Sequence, residues 1–197
     1  MEAVDLSNLK ACNWSSTGGG ESVADIERLE GRIGTSLPSD FRQFLREQGA
    51  GYLDAWARCT FPTPFGEHGI TSFYSVAEIE GLLDSAIVPR NMICIGSGDF
   101  SAYTCLSVCS IDRGSVYSLD GEMNFFKELN GPQQFYGNSP QAKEFYRMRD
   151  ADELPQRAWG YDNCYHVTDS FSEFLSVLRP EGDENQNEGE QVAAQNP

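Results

Sequence analysis

The sequence predicts an α+β fold in which helices pack against a twisted, mainly antiparallel sheet. The first observation is a central meander at about residues 92–122, which reads as three short strands joined by tight connections. Within it, residues 102–111 alternate between two faces, and a period of two is what a pleated strand produces. The second observation is that amphipathic helical patterns lie on both sides of the meander. A sheet flanked in this way is expected to bury one face under the helices.

The two N-terminal helices are predicted from their caps, their apolar spacing and the glycines that end them. Ser22 and Asp25 form a capping arrangement, after which apolar residues recur at helical spacing. The second helix can be capped by Ser36 or Ser39 and stops at Gly49, since glycine is common just past a helix C-terminus. The buried face of this second helix is predicted to hold Phe41, Phe44 and Leu45.

Two further helices begin at capping boxes. Ser75 with Glu78 opens one before the meander, and Ser170 with Glu173 opens another after it. The last helix has the apolar stripe of a helix docked on a core, formed by Phe171, Phe174, Leu175 and Leu178. Residues 52–61 are predicted as a strand, and the proline-rich stretch after them as irregular.

The predicted domain organisation is one domain between two unstructured ends. Residues 1–21 end in a Ser/Thr/Gly run and are expected to be flexible, and residues 22–180 form the domain. An insertion is expected at about 123–169, where turn clusters interrupt any periodic pattern. Residues 181–197 are acidic and poor in apolar side chains, so they are expected to be disordered.

The charge balance restricts the partners of the chain. It carries 30 Asp and Glu against 14 Lys and Arg, a formal net charge of −16. Such a surface repels phosphate backbones and anionic lipid, so neither nucleic acid nor a membrane is expected as a partner. A basic protein would be steered towards it. Acidity also serves solubility, and charge alone does not separate the two roles.

The N-terminus and the cysteines indicate a cytoplasmic protein. The first residues lack the basic start and continuous apolar core of a secretory signal, and no stretch approaches the ~20 apolar residues of a membrane-spanning helix. The six cysteines, in a chain without a signal, fit a reducing compartment in which most are buried as small hydrophobes.

The sequence offers little that supports catalysis, a metal or a cofactor. His68 and His166 are the only histidines, and the cysteines lack the paired spacing of structural zinc sites. The glycines at 96–98 lack the third glycine and the following helix of a dinucleotide site, so residues 96–99 are predicted as a turn within the meander. We therefore predict no enzyme, no metal and no cofactor. A hydrolase using carboxylates, or Cys164 beside His166, is kept as a distant alternative.

Four acids are the candidate contacts for a basic partner. They stand at or near the ends of the predicted strands: Asp99, Asp112, Asp120 and Glu122. Solvated turn residues are the simpler interpretation of such acids. The functional interpretation is a contact surface for a cationic protein.

Six motifs in a fixed order resemble a known family. They are Ile-x-x-Leu-Glu at 26–30, Leu-Pro-x-Asp-Phe-x-x-Phe-Leu at 37–45, a Gly-rich stop at 49–51, Gly-Asp at 98–99, Val-Tyr-x-x-Asp at 116–120 and Ser-Phe-x-x-Phe-Leu at 170–175. Together they resemble the SUKH superfamily, named partly for the Smi/Knr regulators of yeast cell-wall synthesis. The likeness covers roughly residues 22–122 and 165–179, and the stretch between them is longer than in typical short members.

The resemblance implies a SUKH-like α+β fold and a non-enzymatic, protein-binding function. Bacterial members are commonly immunity proteins that bind and neutralise a toxin, often a nuclease. We therefore expect an immunity protein for a cognate, basic toxin domain. The alternative that the resemblance also implies is a regulatory or scaffold protein of the fungal kind. The family has no shared catalytic residues to carry over.

Overall fold

The computed structural model describes residues 4–53, 59–63, 66–83, 88, 91–99, 101–120, 147, 151 and 164–181. The helices are α1 (Ser7–Ala11), α2 (Val23–Ile33), α3 (Ser39–Glu47), α4 (Val76–Leu82) and α5 (Phe171–Val177). The strands are β1 (Trp14–Ser16), β2 (Gly51–Leu53), β3 (Cys59–Thr63), β4 (Gly66–Phe73), β5 (Met92–Gly98), β6 (Ala102–Ser107), β7 (Val116–Asp120), β8 (Cys164–Thr168) and β9 (Arg179–Pro180). Most of the predicted insertion and the predicted tail from residue 182 lie outside the described residues.

The strands form one antiparallel sheet, which confirms the predicted fold class. Its order is β1-β2-β4-β5-β6-β7-β8, while β3 pairs with both β4 and β9. The predicted meander is present as β5, β6 and β7, with Ile93 opposite Leu106 and Leu106 opposite Val116. β3 and β8 also lie against one another, because the sheet is strongly curled.

The helices predicted from caps and periodicity are present as α2 to α5. Ser22 accepts a hydrogen bond from the backbone N–H of Asp25 at 3.1 Å, and Ser75 and Glu78 form a complete capping box. The predicted cap of α3 is wrong. Pro38 holds the N-cap position and no side chain there caps the helix. Proline suits this place because the first turn of a helix needs no N–H from it.

The strands before and within the meander differ from the prediction. The predicted strand at 52–61 is divided between β2 and β3, and residues 66–73 form a strand that the sequence pattern did not reveal. β5 also continues to Gly98, through most of the predicted turn at 96–99. A Cβ on Gly98 would lie 2.1 Å from the backbone oxygen of Gly69, so this glycine permits close approach of β4 and β5.

Residues 7–16, expected to be part of a flexible end, instead form α1 and β1. Trp14 lies opposite Leu53 in the β1–β2 pair, and Leu9 is fully buried. The glycine run that follows is packed on the C-terminal end of α3, because a Cβ on Gly20 would lie 1.7 Å from the backbone oxygen of Arg46. Cys12 and Cys59 are joined by a disulfide, which departs from the expectation of reduced cysteines.

The main core lies between the helices and one face of the sheet. Phe171 on α5 is fully buried, with its ring centroid 5.0 Å from the centroids of both Phe41 and Phe44. Phe73 on β4 and Phe174 on α5 extend this aromatic cluster. The opposite face of the meander holds a second buried group: Met92, Cys94, Cys105, Tyr117, Leu119 and Cys164.

Candidate functional site at the strand ends

The structure brings two of the four candidate acids to the same end of the sheet. Asp99 follows β5 directly, and Asp120 ends β7 opposite Ala102, the first residue of β6. Both therefore stand where β5 turns into β6. Asp112 lies in the turn from β6 to β7, at the opposite end, and Glu122 lies outside the described residues. Of the three described acids, Asp112 is therefore separated from Asp99 and Asp120.

Asp99 is the more accessible of the two acids that share an end. Its side chain is half-buried and lies over β4, where a Cβ on Gly69 would come 2.7 Å from its Oδ2. Glycine at position 69 therefore leaves room for the carboxylate. Asp120 is only 6% exposed. We name the end of the sheet that holds Asp99 and Asp120 the acidic end.

His68 on β4 belongs to the same end of the sheet, although its residue type and spacing suggested no role other than that of a metal ligand. Its Nδ1 lies 2.9 Å from the Oγ of Ser118 on β7. Burial lowers the pKa of His68, and the nearby carboxylate of Asp120 opposes this shift. The lowered pKa favours the neutral imidazole, which adds no positive charge at this end of the sheet. The isolated histidine carried no spacing signal that could have revealed this arrangement.

At the opposite end, Asp112 shapes the turn between β6 and β7. Its carboxylate accepts hydrogen bonds from the Ser107 hydroxyl at 2.6 Å and from the Tyr117 hydroxyl at 2.5 Å. Arg113 donates to the backbone oxygen of Ser36 at 2.9 Å and so ties the turn to the loop between α2 and α3. The turn also presents the apolar side chain of Ile111 to solvent, 74% exposed.

The residues kept for a hydrolase have different partners. The Cys164 thiol is buried and lies 4.0 Å from the Sδ of Met92, whereas His166 Nε2 lies 3.0 Å from an oxygen of Asp169. On the same sheet face, a hydrogen bond with Cys94 together with burial raises the pKa of the Cys105 thiol, which keeps it protonated. Within the described ranges, no group of three or more metal-ligating side chains is present.

Several arginines on the helical side of the molecule are paired. Arg28 lies 3.0 Å from Glu80, and Arg42 lies 3.2 Å from Glu30. A groove of about 260 Å³ runs along α3 and is lined by residues of both signs of charge: Ser39, Arg42, Gln43, Arg46 and Glu47.

In the part of the chain that the structure describes, no helix is long and apolar enough to cross a membrane.

Comparison with known proteins places this architecture in a family. The model of the SMI1 / KNR4 family (SUKH-1) matches residues 20–177, from the start of α2 to the end of α5. The chain is also similar to the SPbeta prophage-derived uncharacterized protein YokK of Bacillus subtilis (strain 168). The two are 28% identical over 137 residues, which covers 56% of this chain and 70% of that protein. Since the family match spans well over half of the residues, the chain belongs to the SMI1 / KNR4 (SUKH-1) family.

Proposed function

We propose that this protein is a non-enzymatic binding domain, and specifically an immunity protein that neutralises a basic, nuclease-type toxin by binding it. The observation that carries the proposal is the acidic end, where Asp99 and Asp120 stand at the same end of the sheet in a chain of net charge −16. Membership of the SUKH-1 family supports a binding role. The prophage origin named for the similar protein YokK is consistent with a function in conflict between genomes.

The acidic end suits a cationic partner for an electrostatic reason. The neutral form of His68 adds no positive charge beside Asp120. Negatively charged side chains at the edge of a binding surface speed association with a basic surface and disfavour the binding of acidic competitors. Because Asp99 is more exposed than the almost fully buried Asp120, it is the side chain that we expect to contact the partner directly.

The test begins with capture of the partner by the tagged protein from lysate of its native host, at low and at moderate salt. Retention of a single basic domain, in a one-to-one complex that moderate salt weakens, supports the immunity function. Capture of several signalling or cell-wall proteins would favour the scaffold alternative. Turnover by the purified protein that Cys164→Ala abolishes would instead favour the hydrolase.

The purified partner then allows the acidic end to be tested directly. Asp99→Asn is expected to raise Kd about tenfold, equivalent to about 1.4 kcal/mol, and to flatten the dependence of Kd on salt. Glu27→Gln on α2 is the matched control, because it removes the same charge from an exposed helical position. Equal effects of the two variants, or a Kd that salt does not change, would contradict a specific role for the acidic end.

A further inference from the structure

Residues 4–16, which include α1 and β1, form what we name the N-terminal clasp. The clasp is tied covalently to β3 by the disulfide between Cys12 and Cys59, 47 positions apart in sequence and 5.4 Å apart at their Cα atoms. Both cysteines are 0% exposed. A single bond therefore connects the first part of the chain to a strand in the interior of the fold.

The clasp also docks through non-covalent contacts, which include the pairing of β1 with β2. Leu9 is its fully buried leucine, and Asn8 donates from Nδ2 to the backbone oxygen of Ser176 at 2.6 Å. α1 has five residues and β1 has three, so neither element is long enough to persist without docking.

Docking also has an unfavourable component at Trp14. Its ring packs on Phe73 with centroids 5.5 Å apart, and a Cβ on Gly51 would lie 2.3 Å from it. Among the described residues, however, its buried Nε1 has no hydrogen-bond partner. A buried donor without an acceptor loses the hydrogen bond that water would give it after release. The docked state thus combines good packing with an unsatisfied polar group.

We propose that the disulfide between Cys12 and Cys59 is a redox switch that controls docking of the N-terminal clasp. A dithiol reductant supplies two electrons and two protons, the S–S bond breaks to give two thiols, and the reductant becomes a disulfide. Without the bond, the short elements and the unsatisfied indole allow the clasp to leave. The outer edge of β2 then loses its partner strand. This switch is independent of the proposed partner.

The experiment compares hydrogen exchange of the full chain, air-oxidised and then reduced with dithiothreitol, by mass spectrometry at short labelling times. Reduction is expected to speed exchange at least about tenfold in residues 7–16 and 51–53, and to leave β5 to β7 unchanged. The double variant Cys12→Ser/Cys59→Ser is expected to match the reduced protein and to ignore dithiothreitol. Cys109→Ser, which changes a half-exposed free thiol, is expected to respond like the original chain.

Two results would contradict the proposal of a redox switch. One is alkylation of all six cysteines in the air-oxidised, unreduced protein, which would show that the bond does not form. The other is unchanged protection of the clasp after reduction, which would show that the bond does not control docking. If the double variant fails to fold, the comparison of oxidised and reduced original chain still decides between these outcomes.

Discussion

His68 on β4 and Ser118 on β7 are joined by a hydrogen bond of 2.9 Å between Nδ1 and Oγ, although β5 and β6 lie between their strands in the sheet. A flat sheet would hold these side chains three strand spacings apart, roughly 14 Å. The short distance therefore shows that the sheet is strongly curled and brings β4 close to β7. The bond also places a titratable group, the imidazole of His68, between these two strands.

Acidification is expected to destabilise the protein through His68. Burial holds its pKa below the ordinary value of 6.5, so the unfolded chain binds this proton at a higher pH than the folded chain does. The contribution of neutral His68 to the free energy of unfolding is thus fully present above about pH 6.5 and is lost as the pH falls towards the folded-state pKa. Urea unfolding between about pH 8 and pH 5 measures this change in the free energy of unfolding.

The controls for this pH dependence are two glutamine variants. His68→Gln keeps a side chain that can bond Ser118 but cannot titrate, so it is expected to flatten the profile. His166→Gln changes a side chain at the sheet surface that is 41% exposed, and the slope should persist. A His68→Gln profile as steep as that of the original chain would contradict the assignment.

Truncation of Phe171 is expected to be among the most damaging single changes. This fully buried ring packs against Phe41, Phe44 and Phe73, so Phe171→Ala leaves a cavity at the junction of α3, α5 and β4. We expect the free energy of unfolding to fall by about 3–5 kcal/mol, measured by urea unfolding. Ile111→Ala removes an apolar side chain that is 74% exposed and should change it by less than about 0.5 kcal/mol. Similar losses in both variants would refute this account of the core.

Two serines at helix starts are expected to differ in their contribution to stability. Ser75 completes the capping box of α4, so Ser75→Ala should lower the free energy of unfolding by about 1 kcal/mol. Ser39 begins α3 without capping it, and Ser39→Ala should stay within about 0.5 kcal/mol of the original chain. Thermal unfolding of the two variants side by side tests the difference, and a larger loss for Ser39→Ala would reverse the assignment.

Two glycines are expected to respond in opposite directions to alanine. A Cβ on Gly98 would lie 2.1 Å from a backbone oxygen of β4, so Gly98→Ala must push two strands apart and should cost about 1–3 kcal/mol or more. Gly31 lies within α2 with nothing within 4 Å of the added atom, so Gly31→Ala should stabilise by about 0.5–1 kcal/mol. Chemical unfolding measures both, and a neutral Gly98→Ala would show that β4 and β5 need no glycine there.

The sequence alone determined helices α2 to α5, the meander and the family, because these depend on local signals. Capping serines, apolar spacing and the motif order identify α2, α4, α5 and the central strands without knowledge of their neighbours. Local signals were misleading where the role of a residue depends on a part of the chain that is distant in sequence. Glycines at 96–98 suggested a turn, yet Gly98 serves the approach of β4, which has no apolar alternation of its own.

Only the tertiary structure decided which acids meet and how the ends of the chain are held. Strand register places Asp120 at the same end of the sheet as Asp99 and Asp112 at the opposite end, because antiparallel neighbours reverse direction at every turn. The pairing of β1 with β2 and the joining of Cys12 to Cys59 depend on contacts across 47 positions of sequence or on strands that meet only after folding. No periodic pattern in one segment contains that information, since the partner surface is formed by the rest of the chain.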